Sequence, residues 1–174
     1  MVVGGPTTVL DLGGLRVVSD PTFDDPGPHG YLTKTAGPAV AENQLGPVDL
    51  VLVSHDNHPD NLDDRGRALA LAAPLVLTTR SGARRLGPPA IGLPPWTSHL
   101  VPRPDGGELI VTAVPAVHGP EDAVLGSGVI IAAHYDGWAH FSEGRDDLAR
   151  AFDDAGLAAR LRLSDHGTWI PLRT

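Results

Sequence analysis

Short apolar runs alternate with polar and glycine-rich stretches along most of the chain. Residues 7–12 and 15–18 are apolar runs joined by a Gly-Gly pair, which predicts a β-hairpin with a tight turn. Residues 48–54 and 74–79 are continuous apolar runs, which is typical of strands buried on both faces of a sheet. The first half of the chain therefore predicts a β-sheet with a covered interior.

Helical patterns follow these strands. Residues 63–73 and 80–87 predict two short helices, the second ended by its final glycine. Residues 145–156 place their apolar side chains on one helical face, with Gly156 as the stop. Strands and helices in this mixed order predict an α+β domain, and 174 residues suit one domain spanning residues 1–174.

The remaining patterns are weaker. Residues 21–47 and 87–104 are rich in Pro and Gly and predict two long surface loops. Later strands are predicted at residues 108–117 and 128–133, with edge strands at residues 157–163 and 168–172.

Composition limits the function. The net charge is −8 and Lys34 is the only lysine, so we expect no nucleic-acid partner, because phosphate contacts need clustered cations. The chain has no cysteine, which leaves imidazole and carboxylate as the strong metal ligands. No apolar stretch approaches the roughly 20 residues that span a bilayer. We therefore expect a cytoplasmic protein without a membrane span or a signal peptide.

Three predicted strands run directly into histidines, which are His55, His118 and His134. Polar side chains at strand ends converge on one edge of a sheet, and three imidazoles with a water form a catalytic zinc site. A single histidine at a strand end is more often an exposed polar residue. The spacing alone leaves both interpretations open.

The segment "VDLVLVSHDNHPDNLD" resembles the metal-binding signature of the metallo-β-lactamase-fold hydrolases, in which a strand ends in His-x-His-x-Asp-His. The stretches "GGPTTVLDLGGLRVVSDPTFD", "LVLTTRSGARRLG", "VPAVHGP" and "AAHYDGWAHFSEG" resemble other parts of that family in the expected order. The resemblance is to its lactonase-like branch, which includes the phospholipase D that acts on N-acyl phosphatidylethanolamine. It implies an αββα sandwich with metal ligands at one edge.

Carried over residue by residue, the resemblance implies six metal ligands. They are His55, His58, Asp60, Asn61, His118 and His134. Asn61 stands where the family has a histidine, and one extra residue separates His55 from His58, so Asn57 competes with His58 for the second ligand position. Asp60 is also the implied catalytic residue, which would orient the attacking water or act as a general base.

Three further residues are expected around the site. Asp20 follows a strand, as an Asp of the family does near the metal edge, but an Asp before Pro21 also suits a turn. Asp63 is expected to orient a ligand imidazole or to cap the following helix. His140 resembles a residue at the mouth of the family's site.

The resemblance also reveals a gap. Between His118 and His134 the family has an additional block, with an Asp that bridges two metals, and this chain passes between them in sixteen residues. We therefore expect an αββα sandwich that is shortened in its second half. We also expect one bound metal ion per chain, which would be zinc or another divalent metal. The apolar sheet left uncovered by the missing block predicts a homodimer, and a monomer covered by its own loops is the alternative.

The resemblance implies a metal-dependent hydrolase of a small-molecule ester, lactone or phosphodiester. Metal-bound hydroxide would be the nucleophile, because a bound metal lowers the pKa of water toward ~7. The alternative is a non-catalytic remnant of the fold that binds one metal ion or serves as a scaffold.

Overall fold

The computed structural model describes residues 1–114, 130–142 and 144–171, and it has a mixed α/β fold. The strands are β1 (Val2–Gly4), β2 (Thr7–Leu12), β3 (Leu15–Ser19), β4 (Gly27–His29), β5 (Leu32–Lys34), β6 (Leu50–Val53), β7 (Val76–Thr78), β8 (Ala90–Gly92), β9 (Ser98–Pro102), β10 (Glu108–Thr112), β11 (Ile130–Ile131) and β12 (Leu161–Arg162). The helices are α1 (Asp64–Ala72), α2 (Arg80–Leu86) and α3 (Arg145–Asp154), with 3-10 turns at Glu42–Gln44 and Ala158–Arg160.

A six-stranded sheet in the order β1-β2-β3-β6-β7-β8 organises the first half of the chain. Strands β1 to β3 are antiparallel, whereas β3, β6, β7 and β8 run parallel. The predicted hairpin is confirmed as β2 and β3, and its turn residues Gly13 and Gly14 have φ angles of 57° and 81°, which glycine adopts without strain. The two predicted buried strands are confirmed as β6 and β7.

Helices α1 and α2 cover one face of this sheet. Their apolar side chains pack on Val51, Val53 and Val76, all of which are buried. Helix α1 lies close to the backbone after β3, since a Cβ on Gly66 would fall 1.7 Å from the carbonyl oxygen of Pro21. Glycine at position 66 thus lowers helix propensity but permits the close packing of α1 against this edge of the sheet.

The opposite face is covered by the hairpin of β9 and β10, a second β layer from the same chain. Leu50 and Leu77 are 0% and 3% exposed beneath it, and Val101 of β9 packs against them. The expectation that this face lacks cover within the chain is therefore wrong for these strands. The outward pair Leu100 and Ile110 remains about half or more exposed, and the homodimer stays a prediction.

Both predicted surface loops contain regular structure. Residues 21–47 form the β4–β5 hairpin and bury Phe23 and Leu45 in the core. Residues 87–104 contain β9 and also β8, which is the parallel edge strand of the main sheet. Their Pro and Gly content concealed strands of only three to five residues.

The C-terminal predictions were less accurate. The amphipathic helix is confirmed as α3, and β12 takes only two residues of the predicted strand at 157–163. Residues 168–171 form no strand, contrary to expectation. The four-layer αββα arrangement stays a prediction. No helix in the described part of the chain has the length and apolar character needed to cross a bilayer.

Candidate active site

A cleft of about 930 Å³ opens where the parallel strands β3, β6 and β7 end. Because carboxyl ends of parallel strands meet at one edge of a sheet, Asp20, Ser54 and Thr79 come together there. The histidine-rich segment, residues 55–61, and the later motif that contains His134 contribute residues to the same cleft. They are His55, Asn57, His58, Asn61 and His134.

Two histidines of the motif face each other. Nε2 of His55 lies 3.0 Å from Nδ1 of His58, and their rings are nearly perpendicular. The Ser54 hydroxyl lies 3.0 Å from Nδ1 of His55. Asn57 is exposed and lines the same cleft, so the second ligand position stays open between Asn57 and His58.

Asp60 lies between two further imidazoles. Its Oδ2 is 3.4 Å from Nε2 of His134 and 3.2 Å from Nε2 of His140, while Oδ1 is buried without a hydrogen-bond partner. Burial acts to raise the pKa of the Asp60 carboxyl, but the nearby imidazoles of His134 and His140 more than offset it, and the pKa lies below its usual value. Asp60 is therefore an ionised, sequestered carboxylate at neutral pH.

His134 reaches this position through backbone contacts and not as the end of a main-sheet strand. It follows β11, which pairs with β12, and its amide donates a 2.7 Å hydrogen bond to the carbonyl of Gly5. Its φ angle of 67° is uncommon for a residue with a side chain. The turn after His134 is held against β5. The amide of Thr35 donates a hydrogen bond to the carbonyl of Gly137, and Lys34 and Trp138 form an isolated antiparallel β-bridge.

Asp20 lies at the same edge and connects two strands. Its Oδ1 accepts a 2.6 Å hydrogen bond from the amide of Ser54, directly after β6. The Ser54 hydroxyl accepts a hydrogen bond from Nδ2 of Asn61, whose Oδ1 is buried without a partner. Of the two roles open to Asp20, the position at the site edge is the one that these contacts support.

The Asp20 carboxyl predicts a measurable pH dependence of stability. Burial raises its pKa from 3.8 to about 6, although the hydrogen bonds from Ser54 act in the opposite direction. The folded protein thus holds this proton more tightly than the unfolded chain does. The protonated carboxyl therefore contributes to the free energy of unfolding, fully below about pH 4, and this contribution is lost as the pH rises through about 6.

Asp20→Asn, which is neutral throughout this range, should therefore gain stability relative to the native protein between pH 4 and pH 7. The relative gain should be of the order of 2–3 kcal/mol at most, and urea unfolding at several pH values measures it. Parallel pH profiles for the two proteins would contradict the raised pKa.

Asp63 caps helix α1 and does not contact a candidate ligand in the described structure. Its Oδ1 accepts from Gly66 N at 2.8 Å, whereas Oδ2 accepts from Asp24 N and from the ammonium of Lys34. The capping alternative is confirmed, and these contacts occupy both oxygens, which argues against the expected role in orienting an imidazole. The side chains of Lys34 and Asp63 are 4% and 0% exposed.

The donors suit zinc in type, although the described residues do not complete a site. Two nitrogens bound to one tetrahedral zinc lie roughly 3.3 Å apart, close to the 3.0 Å between His55 and His58. Among the described residues, Asp60 Oδ1 and Asn61 Oδ1 are buried without hydrogen-bond partners, and His134 Nε2 has the 3.4 Å contact with Asp60 Oδ2. No group of three or more His, Asp or Glu side chains in residues 1–114, 130–142 and 144–171 is arranged to hold a metal ion. His118 lies outside the described residues.

One contributor to the site was missed from the sequence. Asp56, between His55 and Asn57, points away from the cleft, and its carboxylate accepts a 2.8 Å hydrogen bond from Nε of Arg85 in α2. This ion pair lowers the pKa of Asp56 and ties the histidine-rich segment to the helix. A polar residue at position 56, between two residues that line the cleft, could have indicated a contact that fixes the segment. The partner, Arg85, is 29 residues away in the sequence.

Two solved structures share the fold of this chain. One is an isothiocyanate hydrolase from Delia radicum gut bacteria, with a TM-score of 0.68 and 16% identity over 100% of this chain and 99% of that one. The other, described as a possible metal-dependent hydrolase from Veillonella parvula, has a TM-score of 0.68 and 12% identity over 96% of each chain. No family model and no curated protein matches the sequence.

At these identities the likeness shows the fold alone. The chain has the fold of hydrolases, including one described as possibly metal-dependent, which is consistent with the metallo-β-lactamase-like fold indicated by the sequence motifs. The lactonase-like branch stays a prediction.

Proposed function

We propose that this protein is a metal-dependent hydrolase of a small-molecule ester, lactone or phosphodiester. The observation that carries the proposal is Asp60, a buried carboxylate with one unpartnered oxygen, held between His134 and His140. His134 also lines the cleft that contains His55 and His58. The shared fold with two hydrolases agrees with this reaction class.

His55, His58 and His118 are the residues proposed to hold one metal ion, and Asp60 and His134 are the stronger ligands left for a second. A bound zinc ion supplies a Lewis acid that makes water nucleophilic near neutral pH. Asp60 is ionised, so it is suited to accept a hydrogen bond from the attacking water and to orient it. Asp20 and Ser54 hold the end of β6 at the site edge, which positions His55.

A substrate panel on metal-loaded protein tests the proposal. It should contain an ester, a lactone and a phosphodiester, together with an isothiocyanate because one protein of the same fold hydrolyses that class. We expect turnover of at least one substrate that stops when a chelator removes the metal and returns when zinc is restored. Metal binding without turnover of any substrate would favour the non-catalytic remnant.

The donor arrangement also predicts the metal content. His55 and His58 with His118 provide three ligands for one ion, whereas a second ion would have only Asp60, His134 and a weak amide from Asn61. We expect at most one zinc per chain after dialysis, measured by elemental analysis. His58→Ala should lower that content, and His99→Ala, in β9, should leave it unchanged. Two tightly held ions per chain would contradict this ligand set.

A further inference from the structure

A single aromatic side chain stands beside the candidate active site on the β4–β5 hairpin. Tyr31 occupies the turn of this hairpin and is 71% exposed. Its ring meets the ring of His58 in an edge-to-face arrangement, with centroids 6.4 Å apart and planes at 85°. His58 also contacts His55, and both histidines line the cleft, so Tyr31 lies next to a residue of the candidate active site.

Neither the turn nor the core requires an aromatic residue at position 31. Gly30 supplies the positive φ angle of 62° that the turn uses, and small polar residues ordinarily fill the neighbouring position. The exposed tyrosine also contributes little to the buried core. Single exposed aromatics are common, and Trp96 is another at 73%, whereas the ring of Tyr31 lies against a candidate metal ligand, His58.

The base of the hairpin is held firmly although its tip is exposed. Lys34 of β5 is buried in an ion pair with Asp63, and the β5 backbone bridges to Trp138. His29 of β4 packs edge-to-face on Trp138 with centroids 5.6 Å apart. A side chain on a rigid element is placed accurately, so Tyr31 is held in a defined position beside His58.

A recess of about 230 Å³ separates the tip of the hairpin from the histidine-rich segment. Tyr31, Pro59 and Leu62 provide its apolar surface. Three carboxylates, Asp24, Asp63 and Asp64, also line it, so an anionic group is disfavoured there. The recess therefore suits an uncharged planar group, such as an aromatic ring, that packs against the tyrosine.

We infer that Tyr31 is a specificity-determining residue that binds an uncharged aromatic part of the substrate next to the candidate active site. This inference rests on the proposed hydrolase function and specifies its substrate class. The ring interacts equally with the substrate before and during reaction, so its contribution falls on KM and not on kcat.

Kinetics with two esters test this role. For phenyl acetate, Tyr31→Ala should raise KM by roughly 3- to 10-fold with kcat little changed, which is the range for one aromatic contact. For methyl acetate, the same variant should behave like the native protein. Tyr31→Phe should retain the native KM for phenyl acetate because the ring remains. Trp96→Ala is the matched control and should change neither ester.

Binding separates this inference from the proposed function. Calorimetry compares phenylphosphonate with methylphosphonate on zinc-loaded native protein and on Tyr31→Ala. Loss of the phenyl preference in the variant would support the subsite even if no ester is hydrolysed, in which case only the hydrolase proposal fails. Equal phenyl preference in both proteins, or none in either, would overturn the role of Tyr31, whatever the turnover.

Discussion

Replacing Asp60 with alanine is expected to reduce hydrolysis by about 10²–10⁴-fold, the range for loss of a general acid–base group. The carboxylate is ionised and lies 3.4 Å and 3.2 Å from the imidazoles of His134 and His140, and alanine removes this acceptor. Steady-state kinetics on the best substrate of the panel measure the loss. Asp60→Asn should show a similar loss, because the amide keeps the shape but cannot accept a proton.

Asp105→Ala is the matched control for this prediction. Asp105 lies in the turn between β9 and β10, where its side chain is 51% exposed and paired only with Arg103. It should retain native activity, and circular dichroism should show that both alanine variants keep the native fold. Unchanged turnover in a folded Asp60→Ala variant would exclude Asp60 from the chemistry.

Replacing Lys34 with methionine is expected to lower the free energy of unfolding by about 3–5 kcal/mol, the cost of leaving a buried charge without its partner. Lys34 Nζ lies 3.1 Å from Asp63 Oδ2 and also donates to the carbonyl of Thr22. Methionine fills a similar volume but leaves the Asp63 carboxylate buried and unpaired. Urea unfolding followed by tryptophan fluorescence measures the change.

A double variant tests the physical cause of that loss. Lys34→Met with Asp63→Asn removes both charges, and asparagine still caps α1, so much of the lost stability should return. Arg145→Met breaks an exposed pair with Asp165, whose side chains are 43% and 86% exposed, and should cost at most about 1 kcal/mol. A Lys34→Met cost no larger than that of Arg145→Met would show that the buried pair contributes little.

Long or strongly patterned elements were predictable from the sequence. The β2–β3 hairpin, the buried strands β6 and β7 and the helix α3 each have a periodicity or turn signal within the element itself. Strands of three to five residues in Pro-rich segments have too few positions for a pattern. Strands β4, β5, β8 and β9 were therefore assigned to loops, and the cover provided by β9 and β10 over Leu50 was missed.

In the candidate site, the sequence likewise predicted which side chains matter but not which contacts they make. The motif singled out His55, His58 and Asp60 as chemistry-bearing residues, because such a density of polar donors directly after a buried strand is unusual. Whether Asn57 or His58 approaches His55 depends on the path of the backbone between them. That path is set partly by the ion pair of Asp56 with Arg85, a partner that the motif itself does not contain.

The sequence by itself determined the types of ligand available, the main strands and the segments that carry the histidines. These properties are local, since composition, periodicity and motif spacing are read from neighbouring positions. Only the tertiary structure decided that Asp60 meets His134 and His140, that Asp63 pairs with Lys34, and that Tyr31 stands beside His58. Each of these contacts joins residues 27 to 80 positions apart, where packing and backbone hydrogen bonds set the geometry and no short pattern records it.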